Sequence, residues 1–233
     1  MRRAPVTCLI VALVLALTAG PASAAPAAGP GGATPSIIGG GYASSGPWAA
    51  ALYYSDGFYC SGSIIASRWV LTAQHCIYDG YAMSVRVGNV RHPSGRFANV
   101  QRVVRAPGAD MALLYLDRAI STTYAQLASA NPPNGSTNDI YGWGTVEPGE
   151  DAPLSDRLKT ATVRVTSSNG SDYYGGRAVR SRVLSGGPGY GDSGGPQFYN
   201  GRQVGVCSTG DYVNQSYASV AANRTWIRNT ADV

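Results

Sequence analysis

The segment Gly191-Asp192-Ser193-Gly194-Gly195-Pro196 sets a serine inside a run of glycines. A nucleophilic serine needs an exposed hydroxyl on a tight turn, with backbone N–H groups aimed at the place where an oxyanion develops. Glycines on both sides permit unusual backbone angles and the close approach of a substrate. Taken alone, the run also reads as an ordinary turn. A second segment, Leu71-Thr72-Ala73-Gln74-His75-Cys76, places an imidazole directly after an apolar stretch. The other histidine, His92, lies in Arg91-His92-Pro93-Ser94-Gly95, which reads as a surface turn. A third segment, Asp110-Met111-Ala112-Leu113-Leu114, opens an apolar strand with an acid. A carboxylate there is partly buried and needs a partner, which an imidazolium would supply. A cap or a solvated loop acid is the alternative.

These groups are far apart in sequence, so the elements between them must bring them together. The 233 residues carry only 13% charged side chains, with 30 Gly and 15 Tyr. That mix excludes a charge-rich disordered chain and a heptad coiled coil. Short strands between turn signals are expected at 48–54, 59–66, 69–72, 83–88, 97–105 and 111–116. After a Pro/Asn/Gly break at 131–136 come 139–141, 159–166, 178–184, 197–199, 203–208 and 216–221. Regular short strands of this kind point to an all-β sandwich or barrel pair. Only 222–230 reads as helix.

The N-terminus sets the compartment. Met1-Arg2-Arg3, the ten apolar residues 8–17 and the small residues Ala22-Ser23-Ala24 have the three-part layout of a secretory signal peptide over 1–24. The apolar run is too short for a membrane span, so a secreted protein without an anchor is expected. Residues 25–36 hold three Pro and three Gly and no charge, and read as a propeptide. Removing the signal takes Arg2 and Arg3 from a formal charge of +5, and the small surplus left implies no nucleic-acid partner. Cys60, Cys76 and Cys207 remain. Cys60 and Cys76, sixteen apart around two apolar runs, are the expected disulfide in an oxidising compartment. Cys207, in an apolar strand, reads as a small buried hydrophobe.

With the order His75, Asp110, Ser193, the chain resembles the chymotrypsin/trypsin family of serine endopeptidases. TAQHC is similar to the family's TAAHC and DMALL to its DIALL, while GDSGGP matches fully. Gly142-Trp143-Gly144 resembles its GWG, Ile37-Ile38-Gly39-Gly40 its IVGG start, and Tyr217-Ala218-Ser219-Val220 with Trp226-Ile227 its closing strand and helix. The resemblance runs from 37 to 227. It implies two packed six-stranded antiparallel β-barrels, the first over about 37–130 and the second over about 137–220, followed by a C-terminal helix at about 222–230. His75 and Asp110 would come from the first barrel and Ser193 from the second. Ser193 would attack the scissile carbonyl, His75 would relay its proton, and Asp110 would hold the imidazole. The amides of Gly191 and Ser193 would form the oxyanion hole. Cleavage before Ile37 would free an amino group that pairs with Asp192, so the chain is expected to be an inactive precursor.

The resemblance also marks the primary pocket. Gly187 stands where trypsin-like members carry an Asp, so nothing there favours Lys or Arg. Ser208-Thr209-Gly210 would form one wall, with Ser208 also supporting Asp110. Gln215 would narrow the pocket or add a polar floor, and Tyr190 would sit at the rim. Small or medium uncharged side chains are the expected targets. Arg86, Arg91, Arg96, Arg102 and Arg105 read as a solvated barrel face, with an anion-binding patch as the alternative. The sequence shows no metal-ligand spacing, so neither metal nor cofactor is expected. The expected partners are polypeptide substrates and protein inhibitors, bound by a monomer. The rival reading is a non-catalytic homologue that binds a partner through the same cleft.

Overall fold

The computed structural model describes residues 37–55 and 57–233. The signal peptide expected over 1–24 and the propeptide expected over 25–36 lie outside them. The described residues form thirteen strands and one α-helix, with two closed antiparallel barrels.

The first barrel is built from β2 (Ala49–Tyr54), β3 (Gly57–Ala66), β4 (Trp69–Thr72), β5 (Met83–Val87), β6 (Arg96–Arg105) and β7 (Ala112–Leu116). They close in the order β2-β3-β4-β7-β6-β5. The sequence cause is visible in β5, Met-Ser-Val-Arg-Val, where Met83, Val85 and Val87 are buried and the residues between them are not. Successive side chains of a strand point to opposite faces, so this alternation fills a barrel from one side.

The second barrel uses β8 (Thr137–Gly142), β9 (Lys159–Ser171), β10 (Arg177–Val183), β11 (Pro196–Tyr199), β12 (Arg202–Gly210) and β13 (Asn214–Ser219). Their order is β9-β10-β13-β12-β11-β8, and the pairing of β8 with β9 closes the ring. The short β1 (Gly41–Tyr42) pairs with β9. Residues 41–42 therefore sit on the second barrel, although the first was expected to begin at 37. Strand β9 runs five residues past the expected end, because the polar Ser167–Ser171 continue the ladder with β10. The helix α1 (Arg224–Ala231) turns Ile227 and Ala231 into the core beside the first barrel's β7.

Aromatic packing and hydrogen bonds join the barrels. Trp48 of the first packs on Tyr141 and Phe198 of the second at ring-centroid distances of 4.9 and 4.7 Å. Ser63 Oγ donates to Gln203 Oε1 at 2.7 Å, and Trp143 Nε1 donates to the Val90 carbonyl at 3.0 Å. Cys60 and Cys76 are joined as a disulfide, and Cys207 is a buried free thiol.

Candidate active site

His75 lies in a single 3-10 turn, Gln74–Cys76, that follows β4. The disulfide ties this turn to β3 through Cys60. Asp110, in the connection from β6 to β7, is completely buried. Its Oδ1 accepts the His75 backbone N–H at 2.9 Å. Its Oδ2 lies 2.7 Å from His75 Nδ1 and accepts the Ser208 hydroxyl at 2.6 Å. A carboxylate oxygen only accepts, so Nδ1 carries the proton and Nε2 keeps its lone pair. Burial alone would push Asp110 up, but the hydrogen bonds and charge of His75, with the Ser208 hydroxyl, hold its carboxyl below the ordinary value. The pair is thus an oriented base with an ionised partner.

Ser193 stands on the turn between residue 190 and β11. Gly191 and Gly194 take φ of +89° and +79°, angles that disfavour any side chain. A Cβ on Gly194 would lie 2.1 Å from Thr72 Oγ1 and 2.3 Å from the Ser61 carbonyl oxygen. The turn is therefore pressed against the first barrel, just before His75. Ser61 clasps it twice: its N–H donates to the Ser193 carbonyl at 2.8 Å and its hydroxyl donates to the Gly191 carbonyl at 2.9 Å. Among the described residues, the amides of Gly191 and Ser193 donate to no protein acceptor. Ser193 is half-buried, and its Oγ is not hydrogen-bonded to His75 in this structure.

Asp192 points the other way, into the second barrel. It accepts the Gly144 amide at 2.7 Å and the Gly189 amide at 2.9 Å. Burial pushes its carboxyl up, against the charge of Lys159 and the two amides. Lys159 itself is fully buried and donates to the Thr145 carbonyl at 2.9 Å. Burial pulls its ammonium down, against the charge of Asp192. Ile37 is buried among Ile140, Ala161, Val163, Cys207 and Tyr217, and the Ile38 carbonyl accepts the Gly187 amide at 3.1 Å.

A cleft of about 440 Å³ opens beside Ser193. Tyr190, Ser208, Thr209 and Gly210 line it, together with Asp211 and Tyr212. Gly187 and Gln215 are not among the lining residues. Gln215 is buried and neither atom of its amide has a partner. A Cβ on Gly187 would meet Val183 Cγ2 at 2.8 Å and Gln215 Nε2 at 3.0 Å.

His92 lies on a surface turn, His92–Ser94, as expected, but its ring is packed. It stacks on Phe58 at 4.8 Å and is bonded to the Tyr53 hydroxyl, because the aromatic side chains of β2 and β3 form a nest beneath it. Of the five arginines, Arg86 lies over the Tyr53 and Phe97 rings, Arg102 over Trp69 and Tyr115, Arg91 pairs with Asp156 and Arg105 with Asp79. Among the described residues no group of His, Cys, Asp or Glu is arranged to hold a metal ion, and no helix is long and apolar enough to cross a membrane. Sequence reasoning missed Lys159, Asp172 and Tyr173. For Lys159 a signal existed: in Lys-Thr-Ala-Thr-Val-Arg-Val the alternation puts residue 159 on the inward register with Ala161, Val163 and Val165.

Two closed six-stranded antiparallel barrels carrying an oriented His–Asp pair are the architecture of the trypsin class. The family model for trypsin matches residues 37–227, and the chain belongs to that family. It is a serine-type endopeptidase, a hydrolase of polypeptides. Trypsin delta of Drosophila erecta is 32% identical over 215 residues, spanning 81% of this chain and 85% of the relative. Serine protease SP24D of Anopheles gambiae is 32% identical over 220 residues, spanning 83% of this chain and 80% of the relative. Among solved structures, mouse neuropsin, a serine protease expressed in the limbic system, superposes with a TM-score of 0.69 at 28% identity over 80% of this chain and 95% of its own. A human heparin binding protein mutant shares the fold, with a TM-score of 0.75 at 24% identity over 84% of this chain and 97% of its own.

Proposed function

We propose that this endopeptidase is secreted and cleaves peptide bonds through His75, Asp110 and Ser193. The observation that carries the reading is the shared Asp110 Oδ2, which fixes the Nδ1–H tautomer of His75 and leaves Nε2 free to take a proton. Ser193 Oγ attacks the scissile carbonyl as His75 removes its proton. The oxyanion is received by the amides of Gly191 and Ser193. His75 then protonates the leaving amine, and water releases the acyl group by the reverse relay. A serine hydroxyl is a weak nucleophile at neutral pH, so the imidazole is a physical requirement.

Activation follows cleavage before Ile37. The buried Ile37 and the buried Asp192 support this reading, because an ammonium freed there would meet a carboxylate that burial disfavours. Mixing the processed protein with an activated ester should give a burst of one leaving group per protein, followed by slower turnover. N-terminal sequencing of that form should read Ile37 first. A binding homologue would show neither burst nor turnover, and an equally active form that keeps residues 25–36 would reject the activation step.

The primary pocket takes small or medium uncharged side chains. The buried Gln215 packs against Gly187, and no acid stands at residue 187 to pair with a basic side chain. Asp211, at the wall, has one oxygen engaged by the amides of Val213 and Asn214. Gln215→Gly should deepen the pocket. A peptide-library profile should then move towards larger apolar side chains at the primary position by roughly 10–100-fold. An unchanged profile would remove Gln215 from the specificity machinery.

A further inference from the structure

The hairpin between β9 and β10 belongs to the second barrel, yet its tip touches the acid of the first. Asp172 is buried at that tip, and its Oδ2 accepts the backbone N–H of Asp110 at 3.0 Å. Its Oδ1 holds the turn itself, accepting the amides of Tyr174 at 3.0 Å and Gly176 at 2.8 Å. The next residue makes a second connection. The Tyr173 amide donates to Ser208 Oγ at 3.0 Å, and that hydroxyl donates onward to Asp110 Oδ2 at 2.6 Å. The Tyr173 ring stands 6.1 Å from the His75 ring, centroid to centroid. Contact is close enough to dictate a glycine: a Cβ on Gly176 would lie 2.6 Å from the Gly108 carbonyl oxygen and 2.8 Å from Ala109 Cα.

We propose that Asp172 is a positioning residue for the Asp110–His75 pair, fixing the Asp110 backbone from the opposite barrel while its neighbour Tyr173 fixes the Ser208 hydroxyl on the Asp110 carboxylate. The inference rests on the triad reading above. Its physical basis is that Asp110 acts only through its aim. The residue is held at both ends, at its amide by Asp172 and at its Oδ2 by Ser208, and both holds come from the second barrel. The aim of the His75 imidazole is thereby tied to the packing of one barrel on the other. Asparagine does not replace Asp172, because each oxygen accepts from an N–H and an amide nitrogen would oppose one of them.

The test compares the processed wild-type protein with Asp172→Ala, Asp172→Asn, Gly176→Ala and Arg177→Ala on one peptide substrate across pH. Arg177, exposed at the foot of the same hairpin, makes no contact with Asp110 and serves as the control. Asp172→Ala and Gly176→Ala should lower kcat by about 10–100-fold with KM within about threefold, since a small misplacement of a catalytic group has that effect. The acid limb of the kcat/KM profile should move to lower pH, because an imidazolium less well faced by carboxylate is less stable. Arg177→Ala should stay within about twofold of wild type, and melting curves establish that each variant is folded. If Asp172→Ala does not fold, Asp172→Asn, which keeps the shape, decides the question. Wild-type kcat and pH profile in a folded Asp172 variant, or an equal loss in Arg177→Ala, would overturn the proposal. A wild-type protein with no turnover would instead overturn the triad reading.

Discussion

Ser193→Ala is expected to lower kcat by about 10⁶-fold, with KM changed little. The substitution removes only the hydroxyl and leaves the Ser193 amide, which receives the oxyanion, in place. The turn is held by main-chain groups and by Ser61: the Ser193 carbonyl accepts the Ser61 amide, the Gly191 carbonyl accepts the Ser61 hydroxyl, and Gly194 N–H donates to the Cys207 carbonyl at 2.8 Å. None of these uses Oγ, so the variant should melt with the wild type and still bind substrate. Whatever rate remains over water comes from binding and from the oxyanion amides. Steady-state kinetics with a chromogenic peptide, checked by thermal melting, measure this. A folded variant that keeps more than about a hundredth of the wild-type rate would mean that the nucleophile is elsewhere.

Asp110→Asn should lower kcat by about 10⁴-fold at neutral pH, the loss that follows when the base is held in the wrong tautomer. In the wild type both carboxylate oxygens accept: Oδ1 from the His75 amide and Oδ2 from His75 Nδ1 and Ser208 Oγ. An asparagine nitrogen in either place is a donor facing donors. Turned towards Nδ1, it moves the proton to Nε2, where the lone pair is required. Kinetics at neutral pH read the loss, and a rate within about tenfold of wild type would show that this carboxylate does not orient the base.

The same substitution has a consequence for stability. The folded carboxyl of Asp110 lies below its ordinary value, so the unfolded chain binds this proton first as pH falls. Its contribution is fully present above the unfolded value of about 4 and is lost as pH drops from there through the folded value. Acid unfolding of Asp110→Asn should lack that component, so the stability difference between wild type and variant should shrink below about pH 4. Denaturant titrations at neutral and acidic pH would measure it, and a difference that grows in acid would contradict the sign.

The parts of this site that could be read from the sequence are those whose chemistry demands a local string. A serine on a strained turn needs its own glycines, and Gly191 and Gly194 do take positive φ. Cys60 and Cys76 flank apolar runs, which become β3 and β4, and the disulfide joins them. What could not be read is what arrives from a distance. Asp172 lies 62 residues from the Asp110 amide it binds, in a Tyr- and Gly-rich turn that resembles any hairpin tip. The packing of the His92 ring was illegible for the same reason: its proline and glycine neighbours correctly signal a surface turn, while the aromatic nest beneath the ring is built from β2 and β3. Strand β1 is two residues long, and only its pairing with Lys159 and Thr160 assigns it to the second barrel. Lys159 is the intermediate case, since the inward register was legible but its neighbour Asp192 was not.

Mechanism and fold meet in one measurable event, the capture of the nucleophile. The processed protein should be treated with a fluorophosphonate and the modified peptide sequenced by tandem mass spectrometry. One phosphonate per chain is expected, attached to Ser193 Oγ, with no adduct on Ser193→Ala. An unmodified protein, or an adduct mapped to any other side chain, would contradict the triad.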